Sequence, residues 1–293
     1  MKKIPGAILG SLWMLSSCIF YAAAASLVRE VGDLYTAFQM TMIRSFVAVV
    51  VLAPVYLSEG GKLLFIPKRF FTHFLTGVFT YFGIIFWFFA TAVMPIADFF
   101  ALQFVTPLLT MAFAIIFLGE KTDARSWIAA LIGFVGVLVI LRPGIIEISF
   151  AAMAALISAV FYASDNTVIK SLSKSVSATM IVYYAHLLMI PISIPMAIIT
   201  WNQPTLYDFG VIVALCLCLT MAYLSVTKAI SLTVARVVQP VNFMRMPIAA
   251  VFGWLLFNEF PDIWTWFGAI IIFCATTYAV RRGTKTTGRP STA

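Results

Sequence analysis

Residues 120–144 read EKTDARSWIAALIGFVGVLVILRPG, and residues 259–283 read EFPDIWTWFGAIIIFCATTYAVRRG. Laid one over the other, Glu120, Asp123, Trp127, Arg142 and Gly144 fall on Glu259, Asp262, Trp266, Arg281 and Gly283, a shift of 139. Each copy starts with a charged, turn-forming segment, runs through Ile128–Leu141 or Ile263–Val280, and closes on arginine and glycine. Working back from these stretches, Phe20-Tyr21-Ala22, Arg29 and Pro54 recur at a shift of 141 as Phe161-Tyr162-Ala163, Lys170 and Pro195. One or two insertions account for the change of offset, and the chain reads as an internal duplication.

The apolar runs are much longer than the 4–8 residues of a buried strand. A helix needs about 20 apolar residues to cross the hydrocarbon core of a bilayer. Ten stretches fit this pattern, near 6–28, 34–57, 71–93, 96–118, 126–141, 149–169, 177–200, 207–229, 233–257 and 263–280. The expected fold is therefore all-α and polytopic, with five spans in a first unit (1–145), five in a second (146–283) and a tail (284–293). An odd number of spans per unit makes the second copy enter from the opposite side. Inverted repeats of this kind suit secondary transporters, whose two similar bundles rock about a central site.

Of the 293 residues, 62% are hydrophobic and 10% charged, against roughly a quarter charged in ordinary chains. The net charge of +8 invites a nucleic-acid partner, but the distribution of the charges rejects one. With the N-terminus inside, the cytoplasmic segments hold Lys2, Lys3, Lys62, Lys68, Arg69, Lys121, Arg125, Lys170, Lys174, Lys228, Arg281, Arg282, Lys285 and Arg289. Arg29 and Arg142 fall on the far side, and Arg44, Arg236 and Arg245 within spans. This positive-inside bias puts both termini in the cytoplasm, for a chain in the inner (plasma) membrane whose partners are lipid and a small solute. The N-terminus resembles a cleavable signal, at Leu15-Ser16-Ser17-Cys18 and again at Ala23-Ala24-Ala25-Ser26. The apolar run continues past both to Val28, so a retained first span is expected. Cys18, Cys216, Cys218 and Cys274 lie in apolar spans, and the pair 216/218 sits about 200° apart on a helix, so neither a disulfide framework nor a metal site is expected.

Met42-Ile43-Arg44, Phe104-Val105-Thr106-Pro107, Phe117-Leu118-Gly119-Glu120-Lys121 running into Gly133-Phe134-Val135-Gly136-Val137, and Phe257-Asn258-Glu259 in the matching place together resemble the EamA branch of the drug/metabolite transporter superfamily. The resemblance implies a ten-helix permease that hydrolyses no ATP and moves amino acids, nucleotide-like metabolites, vitamins or drugs. Phe257-Asn258-Glu259-Phe260-Pro261-Asp262 and Ser164-Asp165 also resemble the S-adenosylmethionine carriers of this superfamily. The second half departs from the pattern with Ile272 and Ala275 in place of Gly133 and Gly136, which implies different helix packing there.

Ionisable and polar groups at bilayer depth are costly, about 2.5–3.5 kcal/mol for a charge on insertion scales, so those present are candidates for the site. Arg44 lies mid-span and reads either as a clamp for a substrate carboxylate or as one half of a structural pair. Gln239, Asn242 and Arg245 share about 120° of one helix, bracketed by Pro240 and Pro247. Each proline frees a carbonyl, so the stripe reads as a cavity wall or as interhelical bonding. Asp165 shares a face with Ser158 and Tyr162, next to Asn166, and could pair with Arg44, Arg245 or a cationic solute, take a coupling proton or balance Lys170. His186 is a second candidate proton carrier, with a hydrogen-bonded structural histidine as the alternative. Gln103 with Thr106 and Thr110, and Tyr81 and Trp87 with their neighbouring threonines, mark polar sides of the fourth and third spans. Tyr21, Tyr81, Trp87 and Tyr162 could stack on an organic solute. Walker A, dinucleotide, HExxH and GxSxG signatures are missing from the sequence, and no cofactor is expected.

Three function classes remain. A carrier of an amino acid, S-adenosylmethionine or a similar zwitterion predicts a central cavity lined by the second, fourth, sixth and ninth spans among others; a flavin-like vitamin carrier or a drug exporter is its variant. A membrane-embedded lipid enzyme would gather acids and histidines at one interface, whereas here they are scattered. A channel usually builds its pore by oligomerisation, whereas a duplicated chain forms its pathway within one monomer or a weak homodimer.

Overall fold

The computed structural model describes residues 6–60, 69–119, 124–142, 149–232 and 244–286, together with 67, 241 and 242. Gln239, Pro240, Glu120, Asp123 and Gly144 lie outside the described residues. All regular structure among the described residues is helical: α1 (Gly6–Val31), α2 (Ala37–Ser58), α3 (Phe70–Val93), α4 (Ile96–Gln103), α5 (Val105–Leu118), α6 (Ala124–Leu141), α7 (Phe150–Leu172), α8 (Ala178–Ile199), α9 (Leu206–Leu232), α10 (Arg245–Phe257) and α11 (Ile263–Thr286).

Local chemistry sets the helix ends. Thr36, Ser149 and Ser177 cap α2, α7 and α8, their hydroxyls accepting from the amides of Gln39, Ala152 and Met180 at 3.1–3.3 Å. α5 and α10 both stop at a left-handed residue, Gly119 at φ 65° and Asn258 at φ 56°. Glycine and asparagine are the residues that adopt this conformation most readily. The break between α4 and α5 at Phe104 has a covalent cause: Pro107 has no N–H to return to the carbonyl of Gln103 one turn earlier.

Seven helical stretches are long and apolar enough to cross a membrane: most of α1, then α2, α3, α4 continued by α5, α7, α8 and α9. The chain is thus a multi-pass membrane protein. Three further apolar helices are shorter, Leu131–Ile140 within α6, Arg245–Phe257, and Ile263–Ala275 within α11. The fifth, ninth and tenth expected spans correspond to these.

α1 packs on α9, α3 on α7, α2 on α8, and α6 on α11; α1 also meets α10, α5 meets α7, α2 meets α9, α3 meets α8, and α4 meets α10. At the α6–α11 crossing the backbones touch. A Cβ on Gly268 would lie 2.6 Å from the carbonyl oxygen of Gly136, and one on Gly136 would lie 2.9 Å from that of Gly268 and 2.7 Å from Ile272. Gly133 sits under Leu108, with the Ala275 methyl beside it. Ile272 and Ala275 therefore do not weaken this packing; they occupy the space that the first-half glycines leave open.

Candidate functional site

Residues of α1, α3, α4, α5, α7, α9 and α10, with Asn242, surround a cavity of about 60 Å³. One water needs about 10–15 Å³ by this measure, so the space holds roughly four to six waters and must widen to admit an organic solute.

The walls are placed by packing between helices. Tyr162 (α7) lies over Gly83 of α3, where a Cβ would come within 3.3 Å of the ring. One turn before Tyr162, the Ser158 hydroxyl donates to the Gly83 carbonyl at 2.9 Å, fixing the register of α7 on α3. Trp87 (α3) is buried edge-to-face against Phe88 and Phe99 and tilted towards Tyr21 of α1, with ring centroids 6.4 Å apart. Arg245 opens α10 and lays its guanidinium 4.3 Å from the centre of the Tyr21 ring and 5.6 Å from that of Phe100. Cation–π contacts of this kind are worth ~0.5–2 kcal/mol. Elsewhere in the lining the carboxylate of Asp165 accepts from the Tyr223 hydroxyl at 2.8 Å, and Tyr223 in turn meets Thr80 at 3.2 Å.

Several polar atoms here are buried without a hydrogen-bond partner among the described residues: Arg245 Nε, Asp165 Oδ1 and Asn242 Oδ1. Leaving such an atom unpaired costs about 1–3 kcal/mol. Gln103 differs, because its amide donates to the Ala155 carbonyl and accepts from Thr106, both at 3.1 Å.

Tyr21, Trp87, Gln103, Tyr162, Asp165, Asn242 and Arg245, all singled out by sequence, border the cavity together with Thr106 and Asn166. Arg44, Tyr81 and His186 do not border it. The expected contribution of the second span is replaced, among the described residues, by α1, α3 and α9. Arg44 is 1% exposed, and its Nε and Nη1 lack partners among the described residues. Tyr81 packs edge-on against Phe82 in the core. It is six positions from Trp87, which puts the two side chains about 120° apart, so one face of α3 cannot present both. His186 shares its Nδ1 with the Val182 carbonyl at 2.8 Å and sits behind Tyr223, ring centroids 5.7 Å apart. Tyr223 was missed. Its signal was available, since Thr220, Tyr223 and Thr227 follow helical spacing within an apolar span. Met14, Val226 and Ile230 also line the cavity and are apolar, so nothing in the sequence distinguishes them.

One end of the bundle, that of the 32–36 and 258–262 connections, is tied shut. Arg29 pairs with Glu259 and lies 5.2 Å from the Phe257 ring, and Arg142 pairs with Asp262 at 2.6 Å. Tyr35 donates to Asp208 at 2.7 Å, and the Gln39 side chain exchanges hydrogen bonds with the Asn202 backbone. Between these ties and the cavity lie Phe88, Ile96, Phe99 and Phe100, each no more than 1% exposed.

A cavity with charged and aromatic walls inside an apolar helical bundle is the architecture of a membrane carrier. The sequence profile of the EamA-like transporter family matches residues 8–142 and again 149–281, and the chain belongs to that family. It is similar to the S-adenosylmethionine uptake transporter of Rickettsia bellii, at 26% identity over 93% of both chains. It is also similar to the riboflavin transporter of Vibrio cholerae, at 28% identity over 96% of this chain and 95% of that one. A solved protein structure superposes on 96% of the chain with a TM-score of 0.67 at 16% identity, a likeness of fold alone. The protein is a membrane transporter of small metabolites, not an enzyme.

Proposed function

We propose that the protein carries a zwitterionic organic metabolite, an amino acid, S-adenosylmethionine or a close analogue, across the inner membrane by alternating access. The observation that carries this reading is one cavity bordered by both charges: Arg245 on Tyr21 and Phe100, and Asp165 held by Tyr223 with one oxygen unpaired among the described residues. Arg245 receives the carboxylate, Asp165 the cationic group, and Trp87 and Tyr162 an aromatic part. The same rings favour a second reading, an uncharged flavin-like solute. A coupling proton on Asp165 is a further role for that carboxylate.

Ten spans in two inverted repeats underlie the mechanism. Exchanging each helix for its counterpart five spans away returns the principal helix pairs. It turns α1–α9 into α7–α3 and α5–α7 into α10–α1, and returns α2–α8 and α6–α11 to themselves. That exchange symmetry supports the repeat, a single chain supplies both halves of the pathway, and the basic segments orient both termini to the cytoplasm. The end tied by Arg29 and Arg142 is then the outer one, and the conformer described here is closed to the outside.

Purified protein in liposomes preloaded with S-adenosylmethionine, an amino-acid mixture or riboflavin is expected to show counterflow of one labelled solute. Flux of none of them, from protein correctly inserted, would remove this reading. Cysteines replacing both Arg29 and Glu259, once joined by a short crosslinker, are expected to cut flux at least tenfold, reversibly on reduction of a cleavable linker. Undiminished flux after complete crosslinking would show that this end does not open.

A further inference from the structure

We infer that Thr80 and Tyr223 are positioning residues for solute binding: a hydrogen-bond chain running from Thr80 through Tyr223 to Asp165 holds one carboxylate oxygen and leaves the other for the solute's cationic group. The inference rests on the assignment of Asp165 to that group.

The three residues stand on three helices, Thr80 on α3, Asp165 on α7 and Tyr223 on α9, and all are buried. α9 packs on α1 and α2 rather than on α3 or α7. The long phenol side chain of Tyr223 bridges the remaining distance. Its hydroxyl lies 2.8 Å from Asp165 Oδ2 and 3.2 Å from Thr80 Oγ1. The direction of the chain follows from the supply of hydrogens. An ionised carboxylate only accepts, so the single hydrogen of the Tyr223 hydroxyl goes to Asp165, and the phenol oxygen is left to accept from Thr80.

Thr80 spends its hydroxyl on this chain. Thr41, Thr76, Thr91, Thr110, Thr220 and Thr227 each donate to the carbonyl one turn back in their own helix. That bond is the local option open to any threonine in a helix. Thr80 instead bonds across the bundle to Tyr223, with the Asp165 carboxylate beside it. From the other side His186 packs edge-on against the Tyr223 ring, centroids 5.7 Å apart, and restricts the swing of the phenol.

The terminal torsion of an aspartate is broad, so an unsupported carboxylate turns freely and a cation must fix it on binding. Tyr223 fixes Oδ2 in advance, while Oδ1 has no partner among the described residues. Ordering one side chain before the solute arrives strengthens binding by a few-fold. An uncharged solute gains nothing from it.

Full-length Tyr223→Phe keeps the ring and removes the donor; Thr80→Val keeps the shape and removes the hydroxyl. Both are assayed in liposomes with S-adenosylmethionine as the cationic probe and riboflavin as the uncharged one. Tyr223→Phe is expected to raise the half-saturation concentration for S-adenosylmethionine roughly three- to tenfold relative to that for riboflavin. Thr80→Val shifts it the same way by less, and Thr80→Ser, which restores a hydroxyl, recovers most of that loss. Adding Tyr223→Phe to Asp165→Asn produces no further rise, because the phenol acts through the carboxylate. Equal shifts for both probes, a further rise in the double variant, or Thr80→Ser no better than Thr80→Val would overturn the inference. An Asp165→Asn protein with unaltered S-adenosylmethionine half-saturation would instead remove the cationic assignment beneath it. Thermal unfolding reads the chain without transport: Tyr223→Phe and Thr80→Val each lower the midpoint, and together they lower it by less than the sum. Additive losses would overturn the chain. Absence of wild-type flux for both probes would count against the transport reading and leave this unfolding cycle to decide.

Discussion

Arg245→Ala is expected to weaken solute uptake by roughly 30- to 5,000-fold in half-saturation while the protein still folds and inserts. The size follows from two contributions. A charge-assisted, buried hydrogen bond to a carboxylate is worth about 1.5–3 kcal/mol, and the stacked guanidinium adds about 0.5–2 kcal/mol by holding Tyr21 and Phe100 in place. Arg245→Lys separates the two, because an ammonium keeps the charge but loses both the fork and the flat face; its half-saturation should fall between the parent and alanine. Uptake kinetics in proteoliposomes provide the measurement. Unchanged half-saturation in Arg245→Ala would take the anionic end of the solute away from this wall.

Gly268→Ala, a change of one methyl, is expected to be among the most destabilising small substitutions in the chain. The added carbon would lie 2.6 Å from the Gly136 carbonyl, and Ile140 closes the other side. The Ile140 side chain can turn aside, but the Gly136 carbonyl is backbone, so the helices must separate. Overpacking costs typically 1–3 kcal/mol, and contact between two backbones puts this site at the upper end. In membranes small residues let helices approach closely, so the same change also weakens the closest α6–α11 contact. A thermal unfolding midpoint within a degree of the parent would refute the close approach. Gly210→Ala is the control, since a Cβ there meets nothing within 4 Å.

How much was legible in sequence differs between depth and direction. The position of a charged residue along an apolar run gives its depth, and Arg44, Asp165 and Arg245 are indeed buried or partly buried in the bundle. The rotation of each helix about its axis is set by contacts many residues away in sequence. α2 is turned by its packing on α8 and α9, which takes Arg44 away from the cavity. The same ambiguity separated Trp87 from Tyr81 on α3. Pro107 was legible as a break because its chemistry is local. Tyr223 was lost among apolar neighbours, and its role emerges only when Asp165 of α7 lies against it.

The ties at Arg29–Glu259 and Arg142–Asp262 have side chains 19–42% exposed, so counterions reach them. Electrostatic attraction between exposed groups fades over about 8 Å at physiological ionic strength and over shorter distances in concentrated salt. The resting closure is therefore partly a property of the bathing medium: brine loosens these ties while the aromatic layer beneath them is unaffected.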